Sequence, residues 1–213
     1  MPEGGRTINS TDSTLIVHLK NAARKTVTAF QKHPEDFLSE KDIQSLLFAE
    51  LRREMCDLRY DVSGVKHRFS IIPSINPVKT EYQLNPNGSG PRVDIAVLSE
   101  VQDSAYNLWR QPCRIAIEIK LWQPGGPYGD PWKDVKKLKK FYWQARDRGG
   151  FFTGIAMLFV HPFAKEWLSG MPDIVQQLEK TAGVGSGPDF PADGIALHVV
   201  TRSDWKWKLE ADS

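Results

Sequence analysis

Arg114-Ile115-Ala116-Ile117-Glu118-Ile119-Lys120-Leu121-Trp122 is an apolar run that carries a carboxylate and an amine two residues apart. Its alternation sends Ile115, Ile117, Ile119 and Leu121 to one side of a strand and Ala116, Glu118 and Lys120 to the other. Upstream, Arg92-Val93-Asp94-Ile95-Ala96-Val97-Leu98 is a second apolar strand with one embedded acid. Charges in such strands are costly unless they are paired or bind an ion. The two runs therefore predict neighbouring buried strands and mark Asp94, Glu118 and Lys120 as residues whose burial needs a reason.

Outward from these strands, the pattern builds an α/β domain. Leu15, Leu19, Ala22, Ala23, Val27 and Phe30 recur at helical spacing over 14–31, and His33-Pro34 stops the helix. A second helix opens at Ser39-Glu40-Lys41-Asp42, an imperfect capping box, and runs through Ile43, Leu46, Leu47, Leu51 and Met55. Glu40 falls on its apolar face at the first turn and is expected to point towards the sheet, with Glu50 on nearly the same face. Short strands are expected at 61–65 and 68–72, then a strand over 78–84 forming a hairpin with the Asp94 strand across Asn85-Pro86-Asn87-Gly88-Ser89-Gly90-Pro91. Beyond the Glu118 strand come a proline- and glycine-rich loop at 123–131, a helix at 132–148 and a strand at 152–160. A helix at 174–181, a loop at 183–191, a strand at 194–201 and an edge strand at 204–209 complete the order α-α-β-β-β-α-β-α-β. Strands joined by helical crossovers call for a mixed sheet with helices on both faces.

The bulk numbers exclude little. A chain of 213 residues with 40% hydrophobic and 25% charged residues suits one soluble domain. We expect a disordered segment at 1–13 and a single domain over 14–213. The net charge of +2 makes any basic surface local. Cys56 and Cys113 have no metal-binding spacing and read as buried, reduced thiols. There is no signal-peptide pattern and no apolar stretch near the ~20 residues that cross a bilayer, so a cytoplasmic protein without membrane contact is expected.

Hydrolysis of a phosphodiester needs an activated water and stabilisation of charge on phosphoryl and leaving oxygens. A hard divalent ion supplies both and prefers a few carboxylates plus waters and substrate oxygens. Asp94 and Glu118 on adjacent strands can supply the carboxylates. Lys120 can position or deprotonate the water, or hold the phosphate, and Glu40 can add an outer carboxylate. The bland alternatives are a core aspartate bonded to backbone and a cross-strand Glu118–Lys120 salt bridge.

The helix acid in Ser39-Glu40-Lys41-Asp42-Ile43, the Asp94 strand and Ile117-Glu118-Ile119-Lys120, followed by the helix Asp134-Val135-Lys136-Lys137-Leu138, together resemble the PD-(D/E)xK nuclease superfamily over roughly 38–160. The resemblance implies a restriction-endonuclease-like fold and a metal-dependent nuclease acting on DNA, with Mg²⁺, or Mn²⁺ in its place. It implies that Asp94, Glu118 and the Ile119 carbonyl bind metal, that Lys120 is the catalytic lysine, and that Glu40 matches the helix acid of part of the family. A homodimer accords with the family. Val93 stands where many members have proline. Tyr142 precedes Gln144, unlike the Gln-then-Tyr order of some exonuclease-like members. The alternative is a catalytically silent nucleic-acid-binding or protein-interaction module on the same fold.

Lys133, Lys136, Lys137 and Lys140 recur at helical spacing opposite the apolar face, either tracking a phosphate backbone or forming a solvated face. Trp205-Lys206-Trp207-Lys208 suits either base stacking or a lysine-protected edge strand. His161 and His198 have no ligand spacing and read as structural. Glu81, in the hairpin partner of Asp94, reads as an exposed strand residue.

Overall fold

The structure, a computed structural model, describes residues 10–61, 74–83, 92–99, 112–122, 131–147, 150–162, 185–187 and 189–210. Among the described residues there are three α-helices, α1 (Ser10–Lys32), α2 (Glu40–Glu54) and α3 (Pro131–Asp147), and two sheets. The small sheet pairs β1 (Tyr60–Asp61) with β2 (Ser74–Ile75). The large one contains β3 (Val78–Gln83), β4 (Arg92–Leu98), β5 (Cys113–Trp122), β6 (Thr153–Val160), β7 (Gly185–Ser186), β8 (Gly194–Val200) and β9 (Trp205–Glu210). Their order is β3-β4-β5-β6-β8-β9-β7, so β5, the strand that fixes the reading of the sequence, lies well inside the sheet. β3, β4 and β5 run antiparallel, β5, β6 and β8 parallel, and β9 antiparallel to both β8 and β7. This is a mixed α/β sheet.

The sheet is covered on both faces. Leu19, Val27 and Phe30 of α1 and Ile43, Leu47 and Leu51 of α2 pack with Ile117, Ile119, Ile155 and Phe159 in one core layer. Phe30 meets Phe159 edge-on with ring centroids 5.1 Å apart. Val135, Leu138, Phe141 and Tyr142 of α3 pack with Ala116, Ala156, Ile195 and Leu197 in the other. The β5–α3–β6 connection thus carries the chain across the opposite face from α1 and α2. Apolar burial on both faces explains why β6 is buried along its whole length.

Several details differ from expectation. α1 starts at Ser10, so residues 10–13 join the helix rather than the disordered segment expected over 1–13. Gly185–Ser186 falls in the expected 183–191 loop but pairs with Ser186↔Lys206 and Gly185↔Trp207, so β9 is covered on its outer side. Trp205 is buried and its indole N–H donates to His198 Nδ1 at 3.0 Å, while Trp207 stacks on the same imidazole. Both indoles thus lie against His198, Trp205 buried and Trp207 partly exposed. Burial holds the His198 pKa down at about 3, so the ring is neutral and structural. Cys56 is exposed rather than buried, and Cys113 is partly buried with its thiol pushed up to about 12. The helix expected at 174–181 and the strand expected at 68–72 lie outside the described residues, as does most of the strand expected at 61–65. Among the described residues no helix is long and apolar enough to cross a membrane.

Candidate active site

β5 spans ten residues, but its antiparallel pairing with β4 stops at Ile95↔Ile117. Beyond that pair the strands open, and the next residues along each are Asp94 and Glu118. The β3–β4 ladder also skips a rung here: Thr80↔Ile95 and Tyr82↔Val93 pair, whereas Glu81 and Asp94 between them do not. Glu81 has a left-handed backbone with φ 50°. A non-glycine residue in that region costs of order 1 kcal/mol and inverts the alternation of the strand. The inversion is visible in the packing. Val78 joins the α1–α2 core layer and Tyr82 the α3 layer, although both have the same parity; Ile95 and Val93 divide in the same way.

Two carboxylates occupy the edge that β4 vacates. Asp94 Oδ2 accepts the Ile119 N–H at 2.7 Å, and Glu40 Oε1 takes the Leu121 N–H at a long 3.5 Å. Strand geometry sends the Ile119 carbonyl to the same edge as its N–H. Asp94 and Glu40 thus meet the β5 edge at Ile119 and Leu121, on the strand that also carries Glu118 and Lys120. Glu40 reaches it from the rim, from the first turn of α2, where the Asp42 carboxylate accepts the Ser39 N–H at 2.8 Å and closes the capping box.

Lys120 Nζ lies 3.5 Å from both Glu40 Oε2 and Asp134 Oδ2. Lys137 Nζ lies 2.7 Å from Glu118 Oε1 and 3.7 Å from Asp134 Oδ1, and donates to the Arg92 carbonyl at 3.0 Å. Glu118 Oε1 is buried with the Lys137 ammonium as its close charged partner. Asp134 Oδ2 is buried without a hydrogen bond. Charge is thus concentrated in a poorly solvated place.

Its electrostatics follow. Burial pushes the Glu118 pKa up to about 8, despite Lys137, with Asp94 and Asp134 adding to the rise. Burial also raises Asp94, against the Ile119 N–H, Lys120 and Lys137. For Lys120, burial favours the neutral amine, but Asp134, Glu40, Asp94 and Glu118 together outweigh it and hold the pKa above the ordinary value. Lys120 is accordingly an ammonium in this arrangement, suited to donating hydrogen bonds rather than to taking a proton.

Two residues not singled out in the sequence, Asp134 and Gln44, lie at this cluster, and Lys137 joins it from the lysine row. Asp134 sits at the spacing 134, 138, 141 with buried Leu138 and Phe141; an acid on an apolar helix face was the available signal. Lys137 leaves the expected solvent-facing lysine row for the acid cluster, whereas Lys133, Lys136 and Lys140 remain exposed. Gln44 is buried one turn after Glu40, donating to the Asp94 carbonyl at 2.7 Å and to Glu81 Oε1 at 3.3 Å. Glu81, also paired with Lys41, is thus tied to the Asp94 strand. Glu50 is drawn instead to Arg53 and to Lys25 of α1.

Among the described residues no group of three or more His, Cys, Asp or Glu side chains forms a metal-ligand cluster. Two strand carboxylates plus a backbone carbonyl are nevertheless a fitting set for Mg²⁺, which takes one or two protein carboxylates and completes its shell with waters and phosphate oxygens. Glu118, a buried carboxylate that already holds a cation at its Oε1, fits that role. No protein-family model, curated protein or solved structure matches the chain.

Proposed function

We propose that the protein is a metal-dependent nuclease with a restriction-endonuclease-like fold, cutting phosphodiester bonds in DNA. The reading is carried by one observation. Asp94 seals the edge of β5 beside Glu118 at the point where β4 and β5 separate, with Lys120 on the same strand. The hairpin order β3–β4–β5, the crossover helix α3 and the acid at the start of α2 accord with the PD-(D/E)xK pattern.

In this reading Asp94, Glu118 and the Ile119 carbonyl hold Mg²⁺ or Mn²⁺. When bound, such an ion polarises a phosphoryl oxygen and acidifies a bound water. The protein's own groups do the rest. Lys120, kept charged by its ring of carboxylates, donates to the phosphate or orients the attacking water. Glu40 and Asp134 fix the Lys120 ammonium from two sides, which limits its freedom before substrate arrives. Exposed Lys133, Lys136 and Lys140 supply a sequence-independent attraction for the phosphate backbone.

The test is digestion of supercoiled plasmid, linear duplex and branched DNA with Mg²⁺ or Mn²⁺, comparing the wild type with Asp94→Asn and Lys120→Ala. We expect cleavage by the wild type and a loss of at least about 100-fold in each variant. Equal cleavage by all three proteins would trace the activity to a contaminant and remove the assignment.

A further inference from the structure

Lys137 lies where a nuclease of this design would need to keep a cation site accessible. Its ammonium is 2.7 Å from Glu118 Oε1 and 3.7 Å from Asp134 Oδ1, and it donates to the Arg92 carbonyl on the strand that carries Asp94. It touches α3, β4 and β5 at once and places positive charge against buried acids. Lys120 is held differently: both of its ion contacts are 3.5 Å long, and neither involves Glu118. Lys137 springs from a helix, and its side chain keeps 20% of its surface in solvent. It can therefore withdraw along that opening without moving the sheet.

Building on the nuclease reading above, we propose that Lys137 is the internal counter-ion of this site, and that a divalent cation binds by exchanging with its ammonium at Glu118. Two positive ions cannot share the Glu118 carboxylate at this spacing without strong repulsion in a poorly solvated pocket. The bound ion and the Glu118–Lys137 pair are alternatives. The lysine keeps the acids compensated while the ion is absent, and it is released towards solvent and incoming phosphate when the ion enters. Lys137 thus tunes how much divalent cation the protein needs. Its place in the acid cluster separates it from Lys133, Lys136 and Lys140, which can only attract DNA.

Calorimetric titration of the full chain with Mg²⁺ alone at pH 8.5, without DNA, tests the exchange. Lys137→Met, which keeps length and removes charge, should bind Mg²⁺ about tenfold more tightly than the wild type. Lys137→Arg, which keeps the charge, should remain close to it. Unchanged or weaker binding by Lys137→Met overturns the exchange while leaving the nuclease reading intact. Absence of Mg²⁺ binding in all three proteins overturns the metal site itself, and the exchange with it. A second measurement needs no variant: the Lys137 Cε resonance of the wild type should shift on Mg²⁺ titration with the same midpoint as the heat signal. A resonance that stays still while Mg²⁺ binds overturns the proposal.

Discussion

Glu118→Gln should make the protein more stable, and by an amount that depends on pH. Glu118 is buried, and its folded pKa is pushed up to about 8 from an ordinary 4.5. The folded state therefore holds a proton that the unfolded chain releases, and stability falls as pH rises from the unfolded value through the folded one. At pH 7 the stability lost in this way, relative to acid pH, is on the order of 3 kcal/mol, at about 1.4 kcal/mol per pKa unit. It is on the order of 1 kcal/mol at pH 5 and is fully expressed above about pH 8. Glutamine keeps the shape and removes the ionisation. For a chain of this length about 3 kcal/mol corresponds to roughly 6–12 °C in Tm. Thermal unfolding of the two proteins at pH 5, 7 and 8.5, each with EDTA, should show a small gap in favour of the variant that widens with pH. Saturating Mg²⁺ should narrow the gap at pH 8.5 by stabilising the wild type alone, by about 2.7 kcal/mol at a hundred times Kd. A gap that is equal at all three pH values, or a wild type more stable than the variant at pH 8.5, would refute the picture of Glu118 as a strained buried carboxylate.

Three further outcomes test other parts of the molecule. Lys120→Met should lower DNA cleavage by about 10²–10⁴-fold while Mg²⁺ affinity measured by calorimetry does not fall; an unchanged rate would remove Lys120 from the reaction. Gln44→Ala deprives the Asp94 carbonyl of its 2.7 Å donor and should cost about 1–3 kcal/mol in urea unfolding; a midpoint equal to wild type would show that this clamp is not holding β4. Gly154→Ala would place a methyl 3.1 Å from Leu138 Cβ and 3.2 Å from Ile195 Cγ1, beneath α3. We expect a loss of about 1–3 kcal/mol by thermal unfolding, together with reduced cleavage because Asp134 and Lys137 ride on that helix.

The central strands and the three helices were legible because their signals are local. Ile115, Ile117 and Ile119 alternate, Leu19, Ala22, Ala23 and Val27 repeat at helical spacing, and burial on each face enforces both periods. Asp94, Glu118 and Lys120 were legible for a related reason: a charge in a buried strand stands out against its neighbours. Asp134 and Gln44 carried the same kind of signal on helices, but one polar residue on an apolar face is common and shows its purpose only when a partner arrives from elsewhere in the chain. Lys137 was misplaced because helical spacing separates a polar from an apolar side and does not say which polar residues lie over the end of a strand. The face inversion at Glu81 and Asp94 was hidden for the opposite reason. Strand alternation assumes extended backbone throughout, and nothing in Thr80-Glu81-Tyr82 announces a left-handed residue.

Along the second half of β5, paired with β6 but no longer with β4, two acids from other elements substitute for a missing strand. Asp94, and more weakly Glu40, take the amides of Ile119 and Leu121 that a continuing β4 would have taken. An open run of amides in an apolar strand is a template for another chain. Removing either carboxylate therefore does more than delete a functional group: it exposes a sticky edge. Alanine at position 94 invites self-association that resembles loss of function, whereas asparagine retains an oxygen for the Ile119 amide. The protection of that amide against hydrogen exchange then becomes a direct gauge of whether the edge is sealed.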